Sequence, residues 1–596
     1  MPNLSILGGT GEGRSLNVDA SRSINLYPEL STDQKSRAVM ALIKTPGCSL
    51  WASVGEGPNR GQHAFNGLNF VVTSNILYSI DDLGVVSDPI GRLTTKSGRV
   101  SIQDNGLLSN GIGGNQLIIV DGKAGWIYDV IAKTFNKVYS AGFPANPTHV
   151  EYIDGYFIVT DDTMNAYASE LYDGTTWKAL ATTPVESAPD NVRVPVAYGE
   201  ELIFIKEYTT EFYANNGTPT INGFPFSRIS GAVAPTGTSS PWSVCQGAGS
   251  IFWLATERKK NHGEFIGPVL LTGETTTTPV GNQAIIYIMS QWQDRENAFT
   301  YSYSAEGHTF FVVTSPGDNQ TLVYDSTTNM WHERSTYVDS PFKFGRHIGN
   351  SYTYFNGMHL IGDYKSGNIY RMSSDRFTDI GKPIVCIRRT SHLFDKQGLE
   401  RLFISKFEID ADIQLVKGSA KAEAQAVDLD TLATFGGEKV TFEGDIVTMR
   451  GGVQVIINYF GPPPTPSGIG LADIKILDKG FDYTVPPVVV VQSVDGFGSG
   501  ATAEAVLNCG EITEIKITTP GTGYKKNPNI IIVDQHFLPS IGLSYSKDSG
   551  KTYLNERIKQ GRFVFWKLGE SKDRIWQIRV DDKVKTVLLG GYAEVE

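Results

Sequence analysis

The chain has 596 residues, 40% hydrophobic and 19% charged, with a formal net charge of −11. At a prior of ~150 residues per domain the length implies about four domains, and the composition excludes a disordered chain. No window approaches the roughly 18 uninterrupted apolar residues of a membrane helix, and the acidic balance argues against a broad nucleic-acid-binding surface, which needs clustered Lys and Arg.

The N-terminal residues Met1-Pro-Asn-Leu-Ser-Ile-Leu lack the basic and long apolar regions of a secretory signal, so assembly in the cytoplasm is expected. Gly8-Gly-Thr-Gly-Glu-Gly13-Arg14-Ser15 lies close to a phosphate-binding loop. Such a loop needs a buried strand before it, a helix after it and a Lys that reaches the phosphates. Arg14 stands where the Lys would, and Asn17-Val-Asp-Ala starts no helix, so a Gly-rich arm is expected over 1–45, with the first strands of a platform.

From 46 to 385 short β-branched and aromatic runs alternate with Gly, Asn, Asp and Pro, as in Gln116-Leu-Ile-Ile-Val-Asp and His308-Thr-Phe-Phe-Val-Val-Thr. Runs of this length bounded by turn formers are strands. Two loose repeats run through them. One is apolar-Tyr-Asp before a polar turn and an aromatic, at Tyr128-Asp129, Tyr172-Asp173 and Tyr324-Asp325; the Asp should accept the turn amides. The other is a strand–Asn/Asp-Gly–strand hairpin at Asn66-Gly67, Asp121-Gly122, Asp154-Gly155 and Asn356-Gly357, which suits a type I′ turn. Repeats of this kind predict an all-β chain built on a β-propeller, here with six blades. Helix signal is almost absent; the best candidate, near Ser419 to Ala433, could equally be strand.

Residues 386–414 and 538–596 are expected to complete the platform, with an inserted β-repeat module over 415–537. In the module, Ile474-Lys-Ile-Leu-Asp-Lys-Gly480-Phe-Asp-Tyr483 followed by Pro487 matches Ile515-Lys-Ile-Thr-Thr-Pro-Gly521-Thr-Gly-Tyr524 followed by Pro528. Each copy reads as a strand, a Gly turn, a packing Tyr and a Pro-started second strand. The run Gly461-Pro-Pro-Pro-Thr-Pro466 is a stiff linker into it.

Catalytic chemistry finds no constellation. Cys48, Cys245, Cys386 and Cys509 are far apart and read as isolated thiols. The nine histidines form no H-E-x-x-H, and His332, His347 and His359 lie among aromatics as structural residues. Arg388-Arg389 and the group Arg557, Lys559, Arg562, Lys567 read as solvated faces. Ser546-x-Asp548-x-Gly550-x-Thr552 fits the Asp box of sialidase-type propellers, which opens the alternative of a glycoside hydrolase. The box is a folding device, and such enzymes need a carboxyl pair flanking the bond. The expectation is a protein that is not an enzyme, with no cofactor and no metal.

Two stretches carry a family resemblance. Arg22-Ser-Ile-Asn25-Leu-Tyr27-Pro28-Glu29 with Thr45-Pro46-Gly47 resembles the opening of the tail-hub, or packaged-DNA stabilisation, proteins of short-tailed bacteriophages. Asp548 and Gly550, then Trp566-Lys-Leu-Gly569, then Asp573-Arg574 with Arg579 resembles that family's closing pattern, and Leu399-Glu400-Arg401-Leu402 the strand before it. The resemblance implies a structural virion protein of the tail. Such proteins form a ring, typically a hexamer, below the portal or its adaptor. They extend the DNA channel without reading sequence, seat a needle or plug, and hold fibres or spikes, with no membrane insertion of their own. A receptor-binding tail adhesin is the further alternative.

Overall fold

The computed structural model describes residues 3–595 except 5, 32–37, 108–113, 216, 218–222, 260–261, 338–343, 395–399, 415–420, 429–431, 436–437, 444–445, 449–453, 457–468, 481–482, 484, 495–497, 509, 525 and 534–538. Leu399, Cys509, Ser419 and the Gly461–Pro466 linker therefore lie outside the described residues.

Seven antiparallel sheets follow one another around an axis. Six are four-stranded segments of continuous sequence, at 59–92, 101–137, 149–184, 192–234, 245–279 and 299–333. The seventh takes three strands from 349–373, and its fourth is Gly47–Ser53, paired antiparallel with Asn368–Ser373. This strand from ahead of the first blade closes the ring. The blade count is thus seven, not the expected six.

The miscount has a physical origin. In five blades the first and second strands are joined by a two-residue turn with positive φ at both positions: Asn66-Gly67, Asp154-Gly155, Ala248-Gly249, Glu306-Gly307 and Asn356-Gly357. Two of these lack the Asn or Asp that advertises a type I′ turn. Conversely, Asp121-Gly122 is no such turn: only Gly122 has positive φ, and the Asp121 carboxylate accepts from the Lys123 and Ala124 amides at 3.0 and 2.8 Å.

The Asp of each Tyr-Asp pair accepts a turn amide in all three places, but the pair ends a strand in only two. Asp129 accepts from the amides of Ile131 and Ala132, and Asp325 from the Thr327 amide and the Thr328 hydroxyl. Tyr172-Asp173 instead lies in the loop after the strand Asn165–Ala168, where Asp173 accepts from Thr175. Adjacent blades share apolar cores, as where Phe252 of the fifth stacks on Phe311 of the sixth at 5.0 Å. Each such fully buried side chain contributes about 1.5–3 kcal/mol.

Among the described residues the α-helix forms outside 419–433. An eight-residue helix, Gln283–Ser290, lies between the fifth and sixth blades, capped by Asn282, whose side chain accepts the Ile285 amide at 2.8 Å. Within 419–433, Lys421–Asp428 is strand. Alternating Ala and polar residues there serve a sheet as readily as a helix.

The platform is a two-sheet sandwich. One sheet has the order Leu26–Leu30, Met40–Lys44, Lys585–Val595, Leu402–Gln414, Val564–Ser571. The other continues the sixth blade. Its outer strand Met330–Glu333 pairs in parallel with Arg22–Ile24, followed by Cys386–Arg389, Asp573–Val580, Ser540–Ser546 and Leu554–Gln560. Their inner faces share one core, in which Phe407 stacks on Trp576 at 4.5 Å. The Gly-rich arm packs against the blade: the Thr10 amide donates to the Trp331 carbonyl, and a Cβ at Gly9 would sit 2.5 Å from that oxygen. Glycine there permits close approach of two backbones rather than phosphate binding.

The module between Gln414 and Ser540 forms a six-stranded sheet in the order Ile469–Asp478, Lys421–Asp428, Asn529–Val533, Val488–Gln492, Ser499–Asn508, Glu511–Thr522. The two Pro-started strands, one from each repeat, pair with each other at its centre, Val488 opposite Val533. The repeat tyrosines Tyr483 and Tyr524 are buried.

Candidate functional site

The motif residues of the two chain ends meet at the junction of propeller and platform, where a residue in the left-handed region sets the path. Asn25 has φ 56°, and its side chain donates to the carbonyls of Ser335 and Val385 and accepts from the Ser335 amide, all at 2.9 Å. Tyr27 is buried edge-on against His308 and Phe310, while Pro28 lies on a strand at the sheet's edge, where a missing N–H is tolerated. The Pro46 carbonyl accepts from buried Arg334 at 2.7 Å. Gly47 starts the closing strand, where a Cβ would lie 2.4 Å from the Thr378 carbonyl oxygen.

The closing motif serves the sandwich. Asp548 and Gly550, at φ 86°, form the hairpin turn after Ser540–Ser546, the Asp548 carboxylate accepting from Ser546, the Thr552 amide and the Thr552 hydroxyl. This turn belongs to the platform, not to a blade. Asp573 binds His392 Nδ1 at 2.8 Å. Arg574 is buried, donates to the Leu568 carbonyl and lies 4.2 Å from the centre of the Tyr545 ring. Arg579 grips Glu556 through two nitrogens and also pairs with Asp581. Trp566 differs from the rest: it is 56% exposed on the edge strand Val564–Ser571, with Lys406 over its ring.

Between the last two blades and the platform opens a cleft of about 860 Å³, walled by Phe344, Ile380, Pro383 and Val385 and ringed by charges. Two of its carboxylates are engaged. Asp363 accepts from the Lys365 amide, Ser366 and Tyr370, and Glu556 is held by Arg579. The burial of Asp379 beside Cys48 pushes its carboxyl up. Such an arrangement supports packing of two domains rather than acid–base work on a bond.

A second cavity, of about 600 Å³, lies on the propeller axis, lined by first strands of the blades. Arg99 closes it. The guanidinium donates to the Asn350 carbonyl of the seventh blade at 2.6 Å and lies 4.0 Å from the centre of the Phe299 ring of the sixth. His149 packs on Trp242 at 4.3 Å, and Glu151 accepts from Gln103 and the Tyr152 amide. Burial pushes the Glu151 carboxyl up to about 7; burial, with Arg99 and Arg193 nearby, pulls His149 down to about 3. Sequence reasoning missed this cluster. His149 and Glu151 share the strand His149–Ile153 and Arg99 precedes the strand Ser101–Asp104, and no local pattern shows that ring closure turns them inward.

Residues 3–376 match the family described as "Bacteriophage P22 Gp10, beta-propeller". Among solved structures, the chain is similar to the Neurospora crassa Pan2 WD40 domain at 9% identity over 53% of this chain and 89% of that one, with TM-score 0.33. It is also similar to the N-terminal domain of Nup159 (11%, 59% and 99%, TM-score 0.32) and to BamB from Moraxella catarrhalis (10%, 59% and 97%, TM-score 0.30). Comparison with curated proteins gives no match. The family match spans all seven blades, the closing strand and the opening platform strands, so the chain belongs to the Bacteriophage P22 Gp10 β-propeller family, the phage proteins that stabilise packaged DNA in the virion.

Proposed function

We propose that the chain is the tail hub: copies form a ring, six in number, below the portal or its adaptor, extend the DNA channel, retain packaged DNA and seat the needle, fibres or spikes. The observation that carries this reading is the narrow propeller axis. Arg99 of the second blade reaches both the Asn350 carbonyl of the seventh and the Phe299 ring of the sixth, a span too small for a duplex to pass through one propeller. A channel for DNA then has to run between copies, which calls for a ring with one repeated heterologous contact. The platform supplies suitable surface: an edge strand carrying exposed Trp566, with exposed Phe403 on its neighbour and exposed Ile558 on the other sheet's edge strand. Unpaired edges with apolar side chains are ready templates for another chain.

The hub performs no chemistry in this reading; it assembles in the host cytoplasm and acts as a seal and a mount. The acidic chain suits passage of DNA without adhesion, because few phosphate contacts form. The test is electron microscopy of particles assembled without this protein. Heads that fill and then lose their DNA, with no tail tip, are expected. Heads that stay filled and tailed but fail to adsorb would replace the hub with an adhesin.

A further inference from the structure

On the propeller axis, three side chains around one cavity keep hydrogen-bonding capacity that nothing among the described residues uses. They are Arg99 through Nε, His149 through both ring nitrogens, and Thr300 through its hydroxyl. His149 is 7% exposed and Thr300 9%. Buried polar groups are nearly always paired, so three such groups around one space point to an occupant.

The charges select its sign. Arg99 forms no ion pair among the described residues, and the charge acting on it is a second guanidinium, Arg346, which also lies over the Phe299 ring, 5.5 Å from its centre. Arg346 also forms no ion pair there; it leans on Tyr364 and donates to the Asn350 side chain. Asp363 acts on Arg346, but among the described residues no carboxylate acts on Arg99; a buried cation left so is costly, and an anion beside it offsets that cost. Glu151, the carboxyl group lining the cavity, has one oxygen bound by Gln103 and the Tyr152 amide, and burial favours its neutral form. The free groups can all donate: a guanidinium N–H, an imidazole N–H and a hydroxyl. Water would satisfy the imidazole and the hydroxyl but would leave the guanidinium uncompensated, and a cation would face Arg99.

We propose that the axial cavity is a binding site for a small oxyanion, phosphate or a carboxylate, held by Arg99, His149 and Thr300. Its volume of about 600 Å³ admits such an ion together with water. The ion would tie the first strands of blades two, three and six together at the axis, so it acts as a structural pin for the ring of blades. This is a property of the propeller alone and stands whether or not the chain is a tail hub.

The test is calorimetric titration of inorganic phosphate into the purified full chain in chloride buffer of constant ionic strength, repeated with acetate. Saturable, one-to-one binding of phosphate, or of acetate alone, is expected; which of them binds tells a phosphate site from a carboxylate site. Arg99→Gln should weaken it by roughly tenfold or more, the loss of a charged hydrogen bond. Arg99 also braces Asn350, so Thr300→Val and His149→Phe provide a second arm with the bracing intact, each expected to weaken binding by roughly a few-fold. No saturable binding of either anion, or binding that Thr300→Val and His149→Phe leave unchanged, overturns the proposal.

Discussion

The propeller and the platform are both sheets, yet they are assembled in opposite ways. Six of the seven blades are meanders in which each strand pairs with the next, so their contacts are local in sequence. The platform joins strands from the whole length of the chain: Lys585–Val595 pairs with Leu402–Gln414, with Met40–Lys44 and with Asn3–Leu4. One unit tolerates loss of a neighbour's sequence and the other does not. The largest expected effect tests this directly. Removing residues 585–596 takes out a strand at the middle of the platform sheet, together with buried Leu588 and Ala593. The platform should then be digested rapidly under limited proteolysis while a resistant fragment containing the blades persists. A fragmentation pattern like that of the intact chain would show that the two units do not differ.

The seventh blade is the exception that joins the two regimes, because its outer strand comes from ahead of the first blade. Gly47→Val places a side chain against the Thr378 and Arg376 carbonyls, where a Cβ would lie within 2.6 Å of both. Neither backbone oxygen can withdraw without disturbing the closing strand. A loss of about 3 kcal/mol is expected, read by denaturant unfolding with the m-value showing whether the ring still opens as one unit. The same substitution at Gly67, whose Cβ position is open, tests φ strain alone.

Acid separates the units further. In the sixth blade His332 is buried against Tyr27 and Phe310, and burial, then Arg334, holds it down to about 3. A histidine kept neutral in the folded state stabilises fully above its unfolded value, near 6.5, and that stability is lost as pH falls toward 3. At pH 4 the deficit is 2.5 units, or about 3 kcal/mol. His347 in the following segment is also held low and adds in the same direction. In the axial cavity the signs oppose. His149 loses stability on acidification from 6.5 toward 3, while Glu151, raised from 4.5 to about 7, gains it from 7 toward 4.5. Their windows overlap, so the cavity contributes little net change near pH 5–6. The melting temperature should therefore fall below pH 6, and His332→Asn should flatten that fall. A His332→Asn profile parallel to that of the unaltered chain would assign the acid lability elsewhere.

The same contrast explains what the sequence made legible. Blade turns announce themselves where φ must be positive, as at Asn66-Gly67 and Asn356-Gly357, because few residues tolerate that region. Ala248-Gly249 and Glu306-Gly307 adopt it without the signal, which is why one blade went uncounted. Strand identities in the platform were legible, at Asn25-Leu-Tyr27-Pro28 and Asp573-Arg574, but their partners were not. Pairing Leu402–Gln414 with Lys585–Val595 depends on loop closure over a span that no local pattern encodes. The axial cluster was least legible: Arg99, His149 and Glu151 converge only once seven blades close, and their meaning lies in burial rather than in spacing.

The smallest expected effect sharpens the comparison at its other end. The Asp548 turn is surface structure, so its carboxylate, held down to about 2 by hydrogen bonds from Ser546 and Thr552, acts locally. A carboxyl lowered on folding stabilises above its unfolded value, near 3.8, and that contribution disappears as pH falls toward 2. The window lies below that of His332, so the platform's acid response should begin after the blades have already weakened. Asp548→Asn keeps the size of the side chain and removes the titration, leaving the amide oxygen to accept from the Thr552 amide. The expected outcome is an unchanged melting temperature profile down to pH 4 and a slightly shallower decline below it, followed through the near-ultraviolet signal of the platform's buried Trp576. A change already visible at pH 6 would mean that this turn couples to the blades through the sheet that continues from Met330–Glu333 into Ser540–Ser546, and that the two units are less independent than their strand order implies.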